Sequence, residues 1–259
     1  MPTARTHAAR AVAGGRLYVI GGLLFQAGPS PAFERYDPAN DKWEALPEFP
    51  IRIDHAMAAG VGDAIVVAGG SYASGTTRAL RYDLARGAWK EIAPLPEPLA
   101  AGSGASIGDQ MYVFGGISAG SIAGTSSAYA YDARADRWRR LTPMPTPRHH
   151  LSVAAYRGQV CALGGRGAPA ERVFECYLPA ADRWERRPDL PVPMEDFDVA
   201  AVGDELWAFP AHGGAYVFDG TAWRAGEGPP GVDFGHVAGY IAPWVIVVNA
   251  SSVAAARVR

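Results

Sequence analysis

Lysine is nearly absent from this sequence: Lys42 and Lys90 stand alone among 24 basic residues, and the rest are arginine. That skew points to a GC-rich bacterial source. An excess of either charge is missing too. The 24 basic residues face 26 acidic ones, a net charge of −2, so no global field draws in nucleic acid or a membrane surface. Cysteine is limited to Cys161 and Cys176, in neither a CxxC pair nor a zinc spacing, which argues against a disulfide scaffold. Cys161 takes the repeat slot of Tyr18 and Tyr112, and Cys176 that of Arg35 and Arg81, so two free thiols on different sheet faces are expected. Long apolar runs are lacking, the longest being the strand-sized stretch around Trp244–Val248, and no signal segment opens the chain. The expectation is a cytoplasmic protein. There is no P-loop, no GxGxxG after a strand, no GxSxG elbow and no HExxH.

What is present is a repeat. Gly21-Gly22, Gly69-Gly70, Gly115-Gly116 and Gly164-Gly165 recur every 46 to 49 residues. Tyr36, Tyr82, Tyr131 and Tyr177 are each followed seven residues later by Trp43, Trp89, Trp138 and Trp184. Between these landmarks lie short apolar strands such as Leu17–Ile20 and Met111–Phe114, with turn residues between them. Inner strands are expected near 7–13, 55–61, 101–107 and 150–156, rich in the small residues that strands crowding an axis require. Two further repeats decay: Pro210-Ala211 replaces the glycine pair in the fifth, and the sixth, with inner strand near 235–241, has no Trp-led strand. Repeats of this length with four short strands specify propeller blades.

The glycine pairs, Tyr-Asp endings and Trp positions resemble the kelch repeat over essentially the whole chain. The resemblance implies an all-β fold, a six-bladed kelch-type β-propeller with its last blade incomplete, spanning residues 1–259 as one domain. It does not select an activity, because kelch propellers serve as interaction modules and as enzymes alike.

In an up-and-down blade, the lead-ins to first strands and the loops leaving second strands open on one face. The lead-ins read Arg5-Thr6-His7, Arg52-Ile53-Asp54-His55, Arg148-His149-His150, Glu195-Asp196-Phe197-Asp198 and Asp233-Phe234-Gly235-His236, while Leu99–Ser103 is bland. With His212 on a loop leaving a second strand, all six histidines fall on one rim. An Arg and a His ahead of the inner strand are also common in kelch repeats, where they tie loops to neighbouring blades. Convergent imidazoles and carboxylates suit general acid–base work, with Asp54, His55, His150 and Asp196 as catalytic candidates for isomerase- or lyase-type chemistry. Arg5, His7, Arg52, Arg148, His149, Asp198 and His236 are candidates for binding a small polar or anionic ligand. Alternatively, His7, His55, His150 and His236 ring the axis and hold a divalent metal in a metal-dependent enzyme. A third reading is a non-catalytic protein-interaction platform on the same rim. The two classes predict different surfaces: a recessed pocket with perturbed titrating groups, or a broad shallow face. Neither nucleic acid nor membrane is an expected partner.

Overall fold

The computed structural model describes residues 1–72, 74–118, 121–210, 214–227, 237–242, 244–248 and 253–257. Five antiparallel sheets each hold four strands in chain order. The first blade is Ala9–Ala13, Arg16–Ile20, Phe33–Asp37 and Lys42–Ala45, and the second Met57–Val61, Ala64–Ala68, Ala79–Asp83 and Ala88–Glu91. The third is Ser103–Ile107, Gln110–Phe114, Ala128–Asp132 and Arg137–Arg140, and the fourth Ser152–Tyr156, Gln159–Leu163, Phe174–Leu178 and Arg183–Arg186. The fifth is Asp198–Val202, Glu205–Phe209, Ala215–Phe218 and Trp223–Gly226. Inner strands touch one another in this order. Val237–Ile241, Trp244–Val248 and Val253–Arg257 form a three-stranded sheet whose first strand touches the inner strands of both the fifth and the first blade.

The expected six blades thus become five complete ones and a three-stranded sheet. The sixth repeat has neither the Tyr-Asp ending nor the Trp that leads an outer strand. Inner strands also begin two residues later than the repeat suggested, because the residue before each turn into the strand is left-handed rather than extended.

Blades adhere through aromatic and branched side chains between their faces. Tyr18 and Phe33 of blade one meet Ile65, Leu80, Tyr82 and Trp89 of blade two, and blades four and five repeat this with Phe174, Phe218 and Trp223. Trp138, Trp184 and Trp223 each donate the indole N–H to a carbonyl of the preceding blade's exit segment, at Ala93, Thr142 and Pro188. This fixes blade against blade with a half-buried hydrophobic body and a satisfied polar tip.

The cysteines overturn the free-thiol expectation. Cys161 and Cys176 are register partners on the second and third strands of blade four and are disulfide-bonded. The two slots are opposite one another, as Tyr18 and Arg35 are in blade one, so residues that occupy them share a face. No helix among the described residues is long and apolar enough to cross a membrane.

The glycine pair connects fold to rim. In four successive blades the second glycine donates its N–H to a carbonyl in the next blade's lead-in: Gly22 to Ile53, Gly70 to Leu99, Gly116 to Arg148 and Gly165 to Met194. Gly115 and Gly116 have φ of +64° and +107°. A Cβ on Gly115 would lie 2.5 Å from the Arg148 carbonyl oxygen, and one on Gly116 2.7 Å from that of Ala100. Only glycine permits both the backbone shape and the approach.

Candidate functional site

In blades two to five the residue that faces the mouth stands two residues beyond an anchored carbonyl, and His7 takes the matching slot of blade one. His7, His55, Ala101, His150 and Asp196 occupy this position in blades one to five, with φ of 51°, 51°, 54°, 51° and 49°. A left-handed residue other than glycine costs about 1–3 kcal/mol, so five in register need support. A belt of backbone hydrogen bonds supplies it. His55 donates to the His7 carbonyl, Ala101 to that of His55, His150 to that of Ala101, and Asp196 to that of His150.

The belt gathers three imidazoles from three blades. One ring nitrogen from each of His7, His55 and His150 lies within 4.8 Å of the others. The His7 and His55 rings stack at 4.1 Å, and His150 stands edge-on to both, at 6.0 and 5.2 Å. The residue just before each histidine engages its Nδ1: Thr6 Oγ1 at 3.1 Å for His7, Asp54 Oδ1 at 2.5 Å for His55, and His149 Nδ1 for His150. An Nδ1–H that donates outward leaves Nε2 as the inward lone pair, and this tautomer follows for His55 from its carboxylate partner. Asp196 Oδ1 lies 3.7 Å from His150 Nε2 and 3.9 Å from His7 Nε2. Its other oxygen accepts from Arg166 at 2.5 Å, and Arg166 Nε reaches Glu195 at 2.9 Å. Tyr72 covers one side, its ring 4.6 Å from His55 and 5.6 Å from His150, while its N–H donates to Asp54.

Burial sets the protonation of this group. It pulls His150 down to about 2, helped by the neighbouring His55 and His149, and His7 down to about 4, helped by His55 and Arg166. His149 is lowered by burial and by Arg166. Burial raises Asp196 above the usual carboxylate range in spite of Arg166. At Asp54 burial acts in the same direction, but hydrogen bonds from His55 and the Tyr72 N–H outweigh it and hold the carboxyl low. His7 and His150 are therefore neutral at pH 7 and available as ligands or hydrogen-bond partners. They line a cavity of about 130 Å³ with His55, Asp196, Arg10 and Asp198.

The other expected site residues divide. Arg5 and Arg148 are turned into their own blades: Arg5 pairs with Glu34 at 2.7 Å and bonds the carbonyls of Thr3, Val19 and Gly21, and Arg148 pairs with Glu175 at 2.7 Å and bonds those of Thr146 and Ala162. At 2% and 0% exposure they hold the lead-ins in place. Arg52 falls one position out of register, because Ile53 takes the slot of Arg5 and Arg148, and its guanidinium lies in an exposed contact with the Pro29 carbonyl. His149 acts behind His150, and Asp198 lies beneath Asp196 in the cavity. His236, with His212 and Asp233, lies outside the described residues. Sequence reasoning missed Arg10, which pairs with Asp198 and bonds Ser152. Its one signal is positional. Matching slots hold Ala58, Gly104, Val153 and Val199, and Arg10 is the charged exception.

A ring of radial four-stranded antiparallel sheets around a polar axial mouth defines a β-propeller. The family model for the Kelch motif matches residues 4–50 and 98–145, over blades one and three, so the chain carries kelch motifs in those two blades. No curated protein matches it. Kelch propellers as a class provide platforms for ligands or protein partners.

Proposed function

We propose that the axial mouth binds a divalent transition metal through His7, His55 and His150, with Asp196 facing the ion, and that the site acts on a small polar ligand. The carrying observation is the convergence of three imidazoles whose Nδ1 atoms are each engaged by the preceding residue. That outer support is how proteins fix ring orientation and tautomer at histidine metal sites. A point central to three atoms that all lie within 4.8 Å of one another is no more than about 2.8 Å from any of them, so Zn–N bonds of about 2.0–2.1 Å need each ring to move in by at most about 0.7 Å. Charge agrees: the carboxylates of Asp54, Glu195, Asp196 and Asp198 face the guanidiniums of Arg10 and Arg166, leaving two negative charges in excess. Imidazole with carboxylate suits Zn, Co, Ni, Fe or Cu. Such an ion would polarise an oxygen of the ligand or lower the pKa of a bound water. Asp196, raised by burial, is placed to accept a proton beside it.

Titration of metal-free protein with Co²⁺ tests this directly. One ion per chain, with absorption bands of a low-coordinate nitrogen site, is the expected result. Absence of stoichiometric uptake by the wild type, or unchanged uptake in a His7→Ala/His55→Ala/His150→Ala triple variant, would refute it.

A protein-docking reading draws on Phe25 and Ile122, exposed at 93% and 76% on second-to-third-strand loops of blades one and three. It predicts loss of partner capture on their replacement by Ser, with metal uptake unaffected. The bonded cysteine pair favours an oxidising compartment over the cytoplasm expected from the sequence. We count the three-stranded sheet as a sixth, incomplete blade closing one domain, since its first strand touches both neighbouring inner strands.

A further inference from the structure

Beneath the imidazoles the cavity has a floor with its own chemistry. Arg10 extends from the inner strand of blade one to blades four and five, pairing through Nη1 with Asp198 Oδ1 and donating from Nη2 to Ser152 Oγ at 3.3 Å. Asp198 and Ser152 open the inner strands two residues after Asp196 and His150, so the guanidinium lies below the belt. It lines the same cavity as His7, His55 and His150, and also the shaft beneath, which is walled by Ala58, Gly104 and Ala105 among others. A guanidinium has five N–H donors in a rigid fork, and Asp198 and Ser152 fix its plane while occupying one nitrogen each. Ser103, also in the lining, accepts the Val153 N–H at its Oγ, which leaves its own O–H to donate.

Size narrows the ligand further. The cavity of about 130 Å³ falls well below the roughly 300–1,000 Å³ of sites for drug-sized molecules, so the part of a ligand held between Arg10 and the imidazoles has few non-hydrogen atoms. The floor offers donors, and the ceiling offers a metal under the reading above.

We propose that the ligand class of this mouth is a small carboxylate bearing a second oxygen function, with the carboxylate on Arg10 and the other oxygen towards His7, His55 and His150. Arg10 is then the specificity-determining residue. This inference rests on the proposed metal centre for its upper contact, whereas its lower contact is independent of it. A two-carbon hydroxy acid such as glycolate spans the gap between the two. Its neutral isostere glycolamide fills the same volume without the charge that Arg10 recognises.

The experiment is a titration of Co²⁺-loaded protein with glycolate and with glycolamide, followed by the visible spectrum and by calorimetry. Wild type is expected to bind glycolate at least tenfold more tightly than glycolamide, and Arg10→Met to lose that preference. Because Arg10→Met removes the guanidinium that pairs with Asp198 and could fail to fold, Arg10→Met/Asp198→Asn removes both charges and must lose the preference as well. Equal affinity of the wild type for the two probes would overturn the inference, as would an undiminished preference in the double variant. A protein that takes up no Co²⁺ sinks the metal reading instead. Glycolate is then titrated into the metal-free wild type and double variant, and Arg10-dependent binding there upholds the lower contact while its absence overturns it.

Discussion

The lead-ins of blades three and four share one backbone and differ in what they carry. Ala101 and His150 have φ of 54° and 51°, each donates its N–H to the previous lead-in carbonyl, and each follows a carbonyl held by a glycine N–H. The belt therefore closes as well over a methyl group as over an imidazole. Blade three acts as an internal control: the fold demands the left-handed turn and its hydrogen bonds, and leaves the side chain open. His7, His55, His150 and Asp196 are thus not explained by the tying of blade to blade. That work belongs to the backbone and to Arg5 and Arg148, whose donors hold Glu34, Glu175 and nearby carbonyls.

The largest separation between the two roles should come from Arg148. Arg148→Met leaves the buried Glu175 carboxylate with only the Thr146 hydroxyl and, at 3.7 Å, Arg186, and breaking a buried pair from one side costs up to about 3–5 kcal/mol. Urea unfolding should register that loss in the metal-free protein, while Co²⁺ affinity of the folded fraction stays within a few-fold. His150→Ala should do the opposite. Co²⁺ affinity is expected to fall by more than the roughly 10–100-fold that removal of an outer-shell partner costs, and unfolding free energy should change by about 1 kcal/mol or less, because Ala101 already shows the turn accepts a methyl. A large stability loss in His150→Ala would erase the distinction between blades three and four. Asp54→Asn falls between them, with an expected 10–100-fold loss of Co²⁺ affinity, since the carboxylate that orients His55 becomes neutral.

Proton linkage offers a smaller and graded test. Above pH 6.5 the folded and unfolded chains both carry His7 and His150 neutral, and neither residue contributes. Below 6.5 the unfolded chain binds protons that folded His7 refuses down to about 4 and His150 down to about 2. Metal-free protein should therefore lose stability as pH falls from 6.5, over a window ending near 4 for His7 and near 2 for His150, at up to about 1.4 kcal/mol per pH unit for each. His150→Ala should show a shallower decline than wild type when urea midpoints are compared at pH 7, 6 and 5. Parallel declines would mean that burial of this imidazole does not control its proton.

Much of this architecture was legible because the landmarks are local. A glycine pair, a Tyr-Asp ending and a Trp seven residues later announce themselves within one repeat, and aligning repeats put His7, His55, His150 and Asp196 in one slot. What the repeat could not express is partnership across it. Arg5 and Arg148 looked like ligand-binding groups because Glu34 and Glu175, 29 and 27 residues away, give no local cue. The cysteine pair escapes sequence reading because strand register, which the repeat slots do not show, sets which residues face each other. Arg10 sits inside a strand where no motif points to it, and its meaning comes from blades four and five reaching it across the axis.

The smallest effect is expected from reversing the comparison itself, with Ala101→His. The backbone there already has the φ of its histidine counterparts, and the N–H and carbonyl are already held by His55 and His150. Histidine accepts a left-handed turn at least as readily as alanine. Ala101 also lines the same cavity as the three native imidazoles, so a fourth ring enters space that is polar on the opposite side. Ala101 is buried beside Ala100 and Ile117, but the added ring can extend into the cavity, so unfolding free energy should change by about 1 kcal/mol or less. Co²⁺ absorption should gain the signature of an added nitrogen donor or remain as it was, and affinity should not fall. A marked loss of stability would show that blade three requires a small side chain at its lead-in. The equivalence of Ala101 and His150, on which the separation of fold from site depends, would then fail.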